Sequence, residues 1–176
     1  MRTKLDEENL ASLPDVREQI LLYSEGWKLR DKERNDYNPL GARIGYRLMN
    51  DLFLTIDRTN NFNVGATYFF DRIGMDQGIE PEEWSPLKSF DEDKDNWNLF
   101  DEDKVDDLPS EDEIILLHIP MLVSAWNPKG IVMGYLYGGD LYQGWGFGEF
   151  NIFDGGGGSI FGDNEFSPDA WRRIKD

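Results

Sequence analysis

Hydrophobic and polar positions along the chain change their period from one stretch to the next. Between Pro14 and Arg34, Val16, Ile20, Tyr23 and Trp27 recur at helical spacing, while Arg17, Glu18, Lys28, Asp31 and Lys32 fill the other positions. Ser12 is placed to cap this segment and Pro14 to sit in its first turn, so a helix is expected. Gly26 is its weak point, costing about 1 kcal/mol relative to Ala. From Ala42 the period shortens to two. Ile44, Tyr46 and Leu48 alternate with Arg43, Gly45 and Arg47, Asn50-Asp51 turns the chain, and Leu52 to Ile56 returns. A polar turn at 59–63 and a third strand at 64–70 would complete a meander. A helix through Leu40, Ile44, Leu48 and Leu52 also fits, but two glycines and several β-branched or aromatic residues in the window favour strands.

After residue 113 a second meander is expected. An Ile/Leu/Val run from Ile114 to Trp126 is interrupted at Pro120, and Asn127-Pro128-Lys129-Gly130 makes a tight turn. Ile131 to Tyr137 returns, Gly138-Gly139-Asp140 turns again, and Leu141 to Phe153 is a last long strand. The run is apolar on both faces, as in a covered sheet. Ser167-Pro168 opens a short terminal helix over 169–175, with Asp169 at its start and Arg172, Arg173 and Lys175 at its end. The expected fold is α+β and β-rich: two antiparallel meanders in one mixed sheet or sandwich, an N-terminal helix and a short C-terminal helix. All of it is read as a single domain over 1–176, with an acidic loop or insertion at 76–113.

Charge changes the picture more than size does. The 176 residues carry a net charge of −17, and residues 76–113 hold sixteen acids against three bases. Residues 1–75 are nearly balanced, with twelve acids and eleven bases. No basic surface is apparent, which argues against direct nucleic-acid binding. Cys is absent, which removes disulfides, thiolate nucleophiles and Cys-based zinc sites. No secretory signal and no apolar run near the ~20 residues of a membrane span is visible, so a cytoplasmic protein without membrane contact is expected.

Within the acidic stretch, Asp91, Asp93, Asp95 and Glu102 stand at positions one, three, five and twelve, the ligand spacing of a Ca2+ loop. Asn96 takes the usual glycine position, but Asn98 departs from the pattern. Pro81, Pro86 and Pro109 deny the flanking helices of an EF-hand, so any Ca2+ site would be an isolated loop. Phe90-Asp-Glu-Asp-Lys is echoed at Phe100-Asp-Glu-Asp-Lys, a local repeat. The tetraglycine at 155–158 lacks the Lys-Ser or Lys-Thr of a phosphate loop, and Gly144, Gly146 and Gly148 do not match a dinucleotide fingerprint. His118, the one histidine, lies in an apolar run and reads as a core or edge residue of a strand. Glu149, flanked by Phe147 and Phe150, is the first carboxylate to test for sugar hydrolysis.

Acids interleaved with large rings carry the functional expectation. Glu82, Glu83, Asp91, Asp93, Asp95, Asp101 and Asp103 would steer a basic protein partner, and Trp84, Trp97 and Phe100 would anchor it. The expected function is a non-enzymatic acidic binding protein that covers a basic site on another protein. Small acidic proteins that neutralise a toxin, or let a phage block a defence protein, share this profile of charge and size. The alternatives are an assembly subunit whose acidic loop is ordered, with Ca2+ as its candidate ligand, and a carboxylate-based carbohydrate-active enzyme.

Overall fold

Ile20, Leu21, Leu22 and Tyr23 are four consecutive apolar residues, all of them buried. A helix would scatter them around its axis, whereas a strand covered on both faces buries them all. They form strand β2 (Gln19–Tyr23), and a separate helix, α1 (Glu25–Glu33), follows directly. The single helix expected over 14–34 is therefore corrected. Arg17 breaks it with a φ of 66°, and Val16 makes only an isolated bridge to Arg47. Gly26 is also explained, because a Cβ there would lie 2.8 Å from the Ile79 side chain.

The computed structural model describes residues 1–6, 10–33, 38–49, 52–56, 79–100, 108–110, 113–123, 127–137, 140–143 and 168–174. In a first antiparallel sheet, β1 (Thr3–Lys4), β2, β3 (Ala42–Met49), β4 (Leu52–Ile56) and β5 (Glu83–Pro86) lie in the order β1-β5-β2-β3-β4. In a second, β6 (Asn98–Leu99), β7 (Ile115–His118), β8 (Ile131–Tyr137), β9 (Asp140–Gln143) and β10 (Ala170–Arg173) lie in the order β6-β10-β7-β8-β9. Contacts divide the chain into two units, one around each sheet, and among the described residues the division falls between Lys88 and Ser89. The α+β, β-rich fold class holds. The terminal helix expected over 169–175 is instead β10, because Trp171 and Ala170 are buried in the middle of a sheet, paired on both sides. The strand expected at 64–70, the end of the one expected at 141–153, the second Phe-Asp-Glu-Asp-Lys beyond Phe100 and the tetraglycine lie outside the described residues.

The two strand orders are the same order. Pairing in the first sheet sets Thr3 opposite Trp84, Trp84 opposite Leu22 and Tyr23 opposite Ala42. In the second it sets Asn98 opposite Trp171, Trp171 opposite Leu117 and His118 opposite Ile131. Superposed by register, the sequences match. Glu18-Gln-Ile-Leu-Leu answers Glu113-Ile-Ile-Leu-Leu, and Pro81-Glu-Glu-Trp84 answers Pro168-Asp-Ala-Trp171. Asn38-Pro-Leu-Gly41, followed by Gly45-Tyr46, answers Asn127-Pro-Lys-Gly130, followed by Gly134-Tyr135. The chain is thus two copies of one five-stranded unit.

The Asn-Pro-x-Gly turn shows why these residues recur. The Asn38 side chain donates to Ala42 O and accepts from Ala42 N, both at 3.1 Å, and Asn127 does the same with Ile131 at 3.1 and 3.2 Å. Gly41 and Gly130 have φ of 59° and 61°, and a Cβ on either would collide with a carbonyl oxygen, Ser24 O or Ile119 O. Only glycine takes that backbone at that closeness. The copies differ most between their first two long strands. The first copy places α1 there, and the second has the short 3-10 turn Pro120–Leu122.

Candidate functional site

On this duplicated frame, the acidic stretch is the length of chain that leads from the first copy into the second, called the seam below. It supplies the last strand of the first (β5), the connection 89–96, and the first strand of the second (β6). Ser89 and Glu92 close a turn reciprocally, Ser89 N donating to Glu92 Oε2 at 2.8 Å and Glu92 N to Ser89 Oγ at 3.2 Å. This is the pattern of a helix-capping box. A 3-10 turn, Lys94–Asn96, follows, with Asn96 N donating to Asp93 O at 3.0 Å.

Cross-strand partners share a sheet face, so Leu99, Ala170, His118 and Ile131 form one row and Arg172, Leu116 and Met133 the next. The seam packs on this face. Phe90 stacks on the His118 ring, with centroids 4.8 Å apart and planes at 14°. Trp97 meets both edge-on, at 5.9 Å from Phe90 and 6.1 Å from His118. Asp93 Oδ2 accepts from Arg172 Nη1 at 2.9 Å, and the guanidinium lies 5.0 Å from the centre of the Trp97 ring. His118 Nδ1 donates to Asp169 Oδ1 at 2.6 Å, since a carboxylate can only accept. The imidazole thus lies among Phe90, Trp97 and Asp169 and is partly buried.

The acids of this segment split by direction. Asp93 is turned to the sheet, its two oxygens taken by Arg172 and by Asn96 Nδ2 at 2.6 Å. Asp91, Glu92 and Asp95 are exposed, Asp91 at 87% beside Lys94. Trp97 is only 6% exposed, and among the described residues its indole N–H meets no acceptor. Trp84, on β5, donates its indole N–H to Ser12 O at 2.8 Å and packs on the Ile20, Leu22 and Trp27 cluster. Glu82 accepts from Glu25 N at the start of α1, and Glu83 pairs with Arg2 at 3.7 Å. Phe100 is half-buried, its N–H bonded to Asp169 O. Asp101, Glu102, Asp103 and Glu149 lie outside the described residues. Among the described residues no group of three His, Asp or Glu side chains is gathered to hold a metal, and Asp93 is committed to Arg172. No described helix is long and apolar enough to cross a membrane.

Arg172, His118 and Asp169 were not expected as parts of this site. Reading 169–175 as a helix hid the alternation that sends Arg172 to one face and Trp171 to the other. Comparison with protein-family models, with curated proteins and with solved structures gives no match.

Proposed function

We propose that the chain is a non-enzymatic acidic binding protein that covers a basic site on a protein partner in the cytoplasm, in the manner of a toxin-neutralising immunity protein or a phage counter-defence inhibitor. The observation that carries this is the split of the seam acids. Asp91, Glu92 and Asp95 face solvent on a segment held to its sheet at Phe90, Asp93 and Trp97. Carboxylates on a held segment meet a basic surface with less backbone left to order, which lowers the entropic cost of association. Their field also speeds encounter. Trp97, expected from the sequence to bury in the partner, is assigned here to holding the segment, and Trp84 to the first sheet. Glu82 and Glu83 belong to the first unit, on β5.

The test is capture from the source cell at low salt with the wild-type chain and with an Asp91→Asn, Glu92→Gln, Asp95→Asn variant. A basic protein retained by the first, lost by the second and released by salt is the expected result. Equal retention by both would overturn the reading, and a large salt-resistant assembly would favour an assembly subunit.

A further inference from the structure

The two copies end in equivalent edge strands that are held differently. Each edge strand has two residues and, among the described residues, one strand neighbour: β1 on β5 and β6 on β10. The same backbone bond follows each, Leu5 N to Glu82 O at 2.9 Å and Phe100 N to Asp169 O at 3.1 Å. Ahead of β6 stands Trp97, buried against His118 and Arg172. The equivalent residue ahead of β1 is Arg2, which pairs with Glu83 at 3.7 Å and lies 3.9 Å over the ring of Tyr23, the residue equivalent to His118. Lys4 stands opposite Glu83, and Leu5 reaches the Ile20, Leu22 and Trp27 cluster. β1 is therefore a basic strand with one apolar foot, laid on an acidic edge and held through partly exposed charge, whereas β6 is held by a buried indole.

We propose that the outer edge of β5 is a binding site for an extended basic strand of the partner, and that β1 occupies it until such a strand takes its place. Strand addition suits this edge, since main-chain bonds supply affinity and alternate side-chain positions supply selectivity. β1 shows what the edge accepts: a cation opposite Glu83 (Lys4), a second two positions before it that reaches Glu83 and the Tyr23 ring (Arg2), and an aliphatic residue following. Short edge strands hold to a sheet by few bonds, so exchange is feasible without opening β2 or β3. This rests on the acidic-binding reading and adds its mode and its control. A site held by its own strand binds with an affinity reduced by the fraction of time it is open.

The experiment uses the full chain and a fluorescein-labelled peptide copying residues 1–6, Met-Arg-Thr-Lys-Leu-Asp, read by anisotropy. Wild type should bind it weakly, and the Arg2→Glu, Lys4→Glu chain, whose own strand is repelled from Glu83, at least tenfold more tightly. Leu5→Ala should give a smaller gain in the same direction, and circular dichroism checks that each variant is folded. A peptide with proline in place of Thr and Leu, equal in charge but unable to pair, should bind at least tenfold more weakly than the parent. Equal affinity for wild type and both variants, or no binding to any chain, overturns the proposal. Equal binding of the two peptides that vanishes on neutralising Asp91, Glu92 and Asp95 also overturns it, while leaving the acidic-binding reading in place.

Discussion

The two copies of the unit bury their third strands in different company. At the position where β8 has the buried Val132, β3 has Arg43, buried still more deeply at 2% exposure. Arg43 makes a bidentate pair with Asp31 of α1, at 2.8 and 2.9 Å, and Asn38 donates a third bond to Asp31 at 2.8 Å. The helix that the second copy lacks brings the anion that the first copy's cation requires. A strand position equivalent in register can hold a methyl pair or a guanidinium, provided that the adjoining connection supplies its partner. The second copy has a charge pair at a different position, Asp93–Arg172, which lies nearer the surface at 16% and 13% exposure. It joins the seam to the sheet and is not buried within one unit's core.

The largest expected effect comes from giving the first copy the second copy's residue. Arg43→Val leaves the buried Asp31 without its bidentate partner, with only Arg30 beside it at 3.7 Å, and should destabilise the chain by about 3 kcal/mol. Adding Asp31→Leu should recover most of that loss, because replacing a whole buried pair with apolar residues is often near neutral. Denaturant unfolding of the two single variants and the double would show it, and additive losses would break the comparison. Next is the shared turn. Gly41→Ala should cost about 3 kcal/mol and Gly130→Ala about 2 kcal/mol, since both glycines have positive φ and the first is the more tightly placed against a carbonyl oxygen. Thermal unfolding in which Gly130→Ala proves the more harmful would contradict the ranking.

A smaller effect concerns pH. Burial pushes the Asp31 carboxyl upward, but the hydrogen bonds and charge of Arg43, with Asn38 and Arg30, outweigh it and hold the group below its ordinary 3.8. A depressed folded value means that the contribution is fully present above the unfolded value. It is lost as pH falls below about 3.8 through the folded value. Unfolding free energy should therefore fall with acid more steeply in wild type than in the Asp31→Leu, Arg43→Val double variant, in denaturant melts between pH 5 and 2.

Much of this was legible in the sequence. Alternation around Gly45 and Tyr46 marked β3, the polar pair at Asn50-Asp51 marked its return, and Asn127 to Gly130 marked the turn into β8. Ile20 to Tyr23 misled because Val16 and Trp27 extend an apparent helical stripe through what is a doubly covered strand. Trp171 misled because the acid and bases around it suit a helix end as well as an alternating strand. The duplication was readable in Glu-x-Ile-Leu-Leu and Asn-Pro-x-Gly, yet only the echo of Phe90 to Lys94 stood out. Outside the matched positions the residues of the two copies differ. The offset between them also shortens along the chain, since the second copy has fewer residues between His118 and Asn127 than the first has between Tyr23 and Asn38. For the candidate site, composition marked the acids, but which of them face the sheet depends on Arg172, a residue seventy-nine positions from Asp93.

That split of directions is the centre of the account, and one pair of variants tests it most directly. Asp93→Asn and Asp95→Asn remove the same charge two residues apart. With the captured basic partner, Asp95→Asn should slow association severalfold at low salt and leave unfolding unchanged. Asp93→Asn should lower stability by about 2 kcal/mol through the loss of the Arg172 bond, with the smaller direct effect on association. Equal slowing of association by both variants, with stability untouched in each, would mean that net charge alone acts and that the held acidic face is wrong.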